Sequence, residues 1–284
     1  MAPYTIDDLP RFSPWPARLL ALEPWEQRHK TPEEVLREYE YEKWGPLLAR
    51  VRAAGQRVAI EEVDDWAREG STASLCSIEE KLELLSPREA HVRYLNLVKG
   101  VLKEFLPASA LVELGAGYGS IILALATRGP FAQMRVMAAD YAPSGVELLR
   151  CIAKAQGLEI EVGRCDFASS WVVDMTIPRG ALIFTSFATP YVPRLSADFV
   201  KALCTYQPRA VVHLEPCYEH CDTKTLVGLL RRRYIQVNDY NTNLVELLHD
   251  QQERGLIRIL EERPTVFGTN PLLAASVIAW VPED

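Results

Sequence analysis

Two patterns of apolar and polar positions follow one another along the chain. Through residues 1–108 the apolar positions recur at helical spacing, and no run has the character of a strand. From 109 onward, short apolar runs alternate with helical stretches. In the first part, Thr31-Pro32-Glu33-Glu34, Ser77-Ile78-Glu79-Glu80 and Ser86-Pro87-Arg88-Glu89 each set a capping hydroxyl three residues ahead of a carboxylate, which predicts three helix starts. The helix after Ser86 carries Val92, Leu95, Val98, Leu102 and Phe105 on one stripe and ends near Leu106-Pro107. The stretch before Thr31 holds Pro3, Pro10, Pro14, Pro16 and Pro24 with Trp15 and Trp25, and predicts an irregular arm packed on the body.

The second part predicts strands at Ala110–Leu114, Arg135–Ala139, Glu159–Val162, Ala181–Ser186 and Ala210–Leu214. Helices are expected from Ser120 to Thr127, from a cap at Ser144 to Gly157, from Leu195-Ser196, and from a cap at Asp222-Thr223 through Arg231-Arg232-Arg233. A further helix at about 243–254 stops at Gly255. Two last strands, about 256–262 and 274–281, are joined through Pro264 to Leu273 without a helix. Alternating strands and helices imply a mostly parallel sheet covered on both faces; the helix-free final pair implies one antiparallel strand at the end.

With 284 residues the chain is long enough to bury a sizeable core without disulfides or a metal. A net charge of −7 argues against nucleic acid or anionic lipid as the main partner, since both need a basic surface. MAPYTIDDLP has neither the basic start nor the apolar core of a signal peptide, and no apolar run approaches the length of a membrane span. The six scattered cysteines are then expected as reduced thiols of a cytoplasmic protein.

Glu113-Leu114-Gly115-Ala116-Gly117-Tyr118-Gly119 lies between a strand and a helix. Glycines there permit a tight turn and let a ligand approach backbone N–H groups at the helix start. The spacing is not that of a dinucleotide fingerprint, which needs a third glycine three residues after the second. The pattern acid-x-Gly-x-Gly-x-Gly after a first strand resembles motif I of class I S-adenosylmethionine-dependent methyltransferases. The resemblance covers roughly residues 90–284.

That resemblance implies a Rossmann-like α/β fold: a seven-stranded, mostly parallel sheet with one antiparallel strand at the end, here with a helical N-terminal region. It implies S-adenosylmethionine as cofactor. Gly115 and Gly117 would face it, beside Tyr118, and Glu113 would hold the methionine amino end. Asp140, closing the second strand with Tyr141 behind it, would bind the ribose hydroxyls. Asp166, with Phe167, would meet the adenine. Acids around a sulfonium cation also make electrostatic sense. Residues 1–76 are expected as an N-terminal helical arm or lid, and 77–284 as the cofactor-binding domain. The run from Val266 to Leu273 looks similar to the ends of stand-alone methyltransferases of peptide and other natural-product pathways.

His213 and Glu215 stand at the exit of the fifth strand, alternate positions on one face, where ligands meet open parallel sheets. They are the candidate catalytic pair: histidine as a base near neutral pKa, glutamate as its partner or the acceptor's. Against this stand a buried structural histidine and a glutamate that caps a helix or pairs at the surface. Reading His213, Cys217, His220 and Cys221 as a zinc site fails for want of paired C-x-x-C spacing, so no metal is expected. Arg231-Arg232-Arg233 is either a solvated helix end or a reader of acidic groups. Arg93 and Tyr94, one helix before the first strand, either reach the methionine carboxylate or lie at the surface. The expected activity is methyl transfer to an oxygen or nitrogen of a small-molecule or peptide acceptor. Its rivals are a cofactor-binding regulatory or scaffold protein without turnover and another enzyme on this fold. Neither nucleic acid nor membrane is expected as partner, and a homodimer is compatible with the reading.

Overall fold

The structure is a computed structural model that describes residues 3–25, 30–55, 58–127 and 129–283. Its centre is the strand run Ala110–Leu114 (β3), Arg135–Asp140 (β4), Ile160–Asp166 (β5), Leu182–Ser186 (β7) and Ala210–Pro216 (β8). These pair in parallel in the order β5-β4-β3-β7-β8. Ala275–Pro282 (β10) joins β8 antiparallel, and Ile257–Gly268 (β9) joins β10. β3 and β8 are buried along their whole lengths, as a sheet covered on both faces requires.

Pro87–Lys103 (α5), Ser120–Thr127 (α6) and Pro143–Ala155 (α7) cover one face together with Gly45–Ala54 (α3) and Ile60–Ala67 (α4). Ala197–Thr205 (α8) and Leu244–Glu253 (α10) cover the other. There Trp280 of β10 is fully buried beside Phe199, Ile183 and Val211. Leu226–Val237 (α9) receives the N-terminal arm: Trp15 stacks edge-on against Tyr234 with ring centroids 4.6 Å apart, as the packed-arm expectation requires. The arm is not wholly irregular, since Ile6–Arg11 forms a 3-10 turn and Trp15–Leu19 a short helix (α1). Residues 26–29 lie outside the described part.

The expected sheet of seven strands is corrected to ten among the described residues. Trp171–Val173 (β6) extends it beyond β5, and a hairpin of Ser74–Ile78 (β1) and Lys81–Leu85 (β2) extends it beyond β9. Ser77-Ile78-Glu79-Glu80 is therefore no helix cap. Glu79 and Glu80 have φ of 46° and 67°, so they form the two-residue turn that suits a hairpin's twist. Ser77 faces inward on β1, where its hydroxyl accepts from Arg231 at 3.0 Å. The same Arg231 donates to the Pro271 carbonyl at 2.8 Å and to Glu80 at 2.8 Å, clamping hairpin, α9 and the loop after β9 together. It is buried, not a solvated helix end. The position 76/77 falls inside β1, so the expected arm contributes a strand to the sheet.

The caps at Thr31 and Ser86 form as predicted, opening Pro32–Arg37 (α2) and α5. Two other caps shift: α7 begins after Ala142 with Pro143 in its first turn, not at Ser144, and α9 is capped by Thr225. Between α2 and α3 the residues Glu38–Trp44 take a π-helical turn. Among the described residues, no helix is long and apolar enough to cross a membrane.

Candidate active site

β3 and β4 end side by side, and the chain leaves each through a turn that faces the same cavity of about 410 Å³. After β3, Gly115, Gly117 and Gly119 have φ of 77°, 56° and 85°. These are conformations that side chains resist. Space enforces the same choice: a Cβ on Gly115 would stand 2.3 Å from that of Ala188, and one on Gly119 2.8 Å from Leu149. The turn is pinned from β4, where Asp140 accepts from the Gly117 N–H at 2.7 Å and the Ala142 N–H at 3.0 Å. Burial pushes the Asp140 carboxyl up to about 6, against the pull of those N–H groups.

Glu113, Gly115, Gly117, Tyr118, Asp140, Tyr141, Asp166 and Phe167 all line this cavity. Glu113 is fully enclosed, and one of its oxygens accepts from the Ile122 N–H of α6 at 3.0 Å. Burial holds its carboxyl well above the ordinary range. Asp166 accepts from the Ala168 N–H at 2.9 Å at the exit of β5, and Phe167 packs edge-on against Phe199. The Tyr118 hydroxyl turns outward to Asp64 of α4 at 2.7 Å, and Ser120 donates to the same oxygen at 2.6 Å. His91 and Arg68 complete the shell of Asp64 at 3.1 and 3.4 Å. Burial pushes that carboxyl up, but His91 foremost, with the Ser120 and Tyr118 hydroxyls, holds it below its ordinary value.

The expected catalytic pair is a correction. His213 is enclosed among Phe199, Trp280 and Thr185 and is not on the cavity wall. The Trp280 indole N–H donates to its Nε2 at 3.0 Å, so Nδ1 carries the proton toward Thr185 Oγ1 at 2.9 Å. Burial lowers its pKa to about 3, so it is neutral and has no free nitrogen to offer a substrate. Glu215 also stays behind the wall. Its carboxylate takes the N–H groups of Ala188 at 3.0 Å and Thr189 at 3.2 Å, and burial raises it to about 7. It holds the loop after β7, whose Ala188 fits against Gly115; it is a positioning residue. Arg93 pairs with Glu83 at 2.7 Å and Tyr94 with Ser186 at 2.7 Å, so neither lines the cavity. His220 pairs instead with Glu262 at 2.8 Å, while the Cys217 and Cys221 thiols donate to carbonyls.

The individual residues of the opposite wall were not singled out in the sequence, although residues 1–76 are expected there as an arm or lid. Lys30, Val35, Tyr39, Lys43 and Trp44 come from the N-terminal segment, and Phe187, Tyr191 and Pro193 from the loop after β7. Glu40 accepts from the Ser144 N–H at 2.8 Å and ties the π-helical turn to the start of α7. Trp44 lies against Tyr118 with centroids 5.2 Å apart, and a Cβ on Gly117 would meet its ring at 3.0 Å. Its indole N–H is buried at the cavity and has no partner among the described residues. The only signal for these residues was the tryptophan itself, since a buried indole N–H ordinarily finds an acceptor.

No family model matches the chain, and no curated protein matches it. Among solved structures it is similar to magnesium protoporphyrin IX methyltransferase from Synechocystis PCC 6803 with bound SAH, at 12% identity over 89% of this chain and 100% of that one, TM-score 0.53. It is also similar to an S-adenosylmethionine-dependent methyltransferase from Clostridium acetobutylicum, at 11% identity over 68% and 92%, TM-score 0.49. Identity this low speaks for the fold and leaves the acceptor open. The strand order, the antiparallel β10 and the first of these likenesses together show that the chain has the fold of the class I S-adenosylmethionine-dependent methyltransferases.

Proposed function

We propose that the chain is an S-adenosylmethionine-dependent methyltransferase that acts on an oxygen or nitrogen of a small-molecule or peptide natural-product acceptor. The observation that carries this reading is the buried Asp140 carboxylate gripping Gly117 across a turn with no room for a Cβ at Gly115 or Gly119. The residues present fit such a donor. Asp140 stands where two ribose hydroxyls would replace or share its N–H partners. Asp166 and Phe167 offer an acceptor and a flat apolar face to an amino-bearing ring. Glu113 is costly as a buried anion, and an ammonium beside it would offset that cost. The unpartnered Trp44 indole N–H is a donor that a ligand oxygen would satisfy.

When bound, the donor supplies a methyl carbon on a sulfonium; the acceptor's lone pair takes it as the C–S bonding pair returns to sulfur. The chain's share is orientation and water exclusion. The glycine turn, held by Asp140 and by Ala188, fixes one side of the reacting pair. The loop after β7, fixed by Glu215, presents Phe187 and Tyr191 on the other. Among the described lining residues there is no histidine, and in this reading the carboxyls of Glu113, Asp140 and Asp166 serve the donor, which favours acceptors that need no base, such as a carboxylate. Residues 30–44 act in this reading as a cover on the acceptor side.

Calorimetry tests the donor assignment. Binding of S-adenosylmethionine and S-adenosylhomocysteine without NADH is expected; NADH binding with neither of the others overturns it. Methylated product with any acceptor separates the enzyme from a binding protein without turnover.

A further inference from the structure

We infer that the acceptor is an organic anion, a carboxylate or a phosphate ester, held by Lys30 and Lys43 against the rings of Tyr39 and Tyr191; this rests on the methyltransferase reading of the same cavity. Both lysines line the cavity, and the carboxylate they share, Glu38, does not. Lys43 Nζ lies 2.9 Å from Glu38 Oε1, and Lys30 pairs with the other oxygen. Two ammonium groups against one carboxylate leave a unit of positive charge facing the cavity. The lysines draw the Glu38 carboxyl below its ordinary value, so it stays ionised and the count holds near neutral pH.

The rings fix where that charge sits. Lys43 Nζ is 4.1 Å from the Tyr39 centroid, and Lys30 and Lys43 stand 5.5 and 5.9 Å from that of Tyr191. Tyr39 and Tyr191 meet edge-on with centroids 5.5 Å apart, giving an aromatic corner next to the two cations. The cavity is thus sorted by sign. Glu113, Asp140 and Asp166 stand at the strand ends, suited to a cationic donor; the lysines stand on the facing wall. A carboxylate oxygen would also need no deprotonation, matching a wall without histidine. The lysine side chains are 38% and 37% exposed, so the attraction is screened and a preference of about tenfold is the scale to expect.

The test titrates the full chain, saturated with S-adenosylhomocysteine, with benzoate, phenyl phosphate and the neutral benzamide, followed by calorimetry. At least one anion should bind about tenfold more tightly than benzamide, less so at high salt, and the tighter one names the source of the charge. Lys43→Gln should cut that preference about fivefold. Glu38→Gln should increase it, because it releases both ammonium groups; a purely structural ion cluster would lose affinity or show no change. Benzamide binding as tightly as both anions, a preference untouched by Lys43→Gln, or no anion binding up to roughly 10 mM would overturn the inference. S-adenosylhomocysteine affinity is read separately. If it fails to bind while the anions still depend on Lys43, the methyltransferase reading falls and the anion site stands.

Discussion

Replacing His213 by glutamine separates a core histidine from a catalytic base. In β8 the imidazole accepts from Trp280 and donates to Thr185, both within 3.0 Å. Glutamine can keep one acceptor and one donor, but it cannot titrate. With a folded pKa of about 3 and an unfolded value near 6.5, the histidine takes up a proton in the unfolded chain first. Its burial therefore costs nothing at pH 8, and stability is lost as pH falls from about 7 toward 3. At pH 5 the loss is about 2 kcal/mol, taking 1.36 kcal/mol per pKa unit. The glutamine variant lacks this term. Urea unfolding of both proteins at pH 8 and pH 5 should show the stability difference moving by about 2 kcal/mol in the variant's favour on acidification. His213→Leu is the control: it leaves the Trp280 N–H and the Thr185 hydroxyl without the ring, at about 1–3 kcal/mol each. The reasoning is refuted if the difference between His213→Gln and the parent is the same at both pH values. It is equally refuted if His213→Gln lowers turnover a hundredfold or more while donor affinity holds, the range expected of a lost general base, about 10²–10⁴.

Three further outcomes follow from the site. Asp140→Ala should weaken S-adenosylhomocysteine binding by roughly 1.5–3 kcal/mol in calorimetry, the usual size of a hydrogen bond to a charged group; an unchanged affinity removes Asp140 from the site. Gly115→Ala must hold a side chain at φ 77° and push against Ala188, so thermal unfolding should show a loss of about 1–3 kcal/mol together with weaker donor binding. Glu215→Ala frees the buried N–H of Thr189, about 1–3 kcal/mol, and the half-buried one of Ala188, and should lower stability in urea; full stability would show the loop to be held by other means.

The parts of the fold that proved legible in the sequence are those in which a local rule and the tertiary structure ask for the same residue. The turn after β3 needs positive φ at three positions, and glycine stands at all three. β3, β4 and β8 are mainly apolar runs because both faces of the sheet are covered. Thr31 and Ser86 cap their helices because the carboxylate three residues on answers them. Ser77 satisfies that same spacing and still lies in a strand. Its local preference is worth about 1 kcal/mol, and the clamp of Arg231 on Ser77, Glu80 and Pro271 outweighs it.

What the sequence determined by itself is therefore the glycine turn, the two acids Asp140 and Asp166 that close β4 and β5, and the alternation of strand and helix that requires a covered parallel sheet. These follow from backbone conformation and burial period, which act over a few residues. Tertiary structure alone decided the sheet's outer strands, the cavity's far wall and the fate of the polar pair in β8. Alternation sets His213 and Glu215 on one side of their strand, but not what that side meets. Trp280, 67 residues on, supplies the N–H that fills the histidine's free nitrogen. The Ala188–Thr189 loop consumes the glutamate. Lys30, Lys43 and Trp44 reach the site from a segment whose one motif, the Thr31 cap, starts a helix and names no ligand, because a cavity wall is selected by its shape and charge in space, and neither is written at any fixed spacing along a chain.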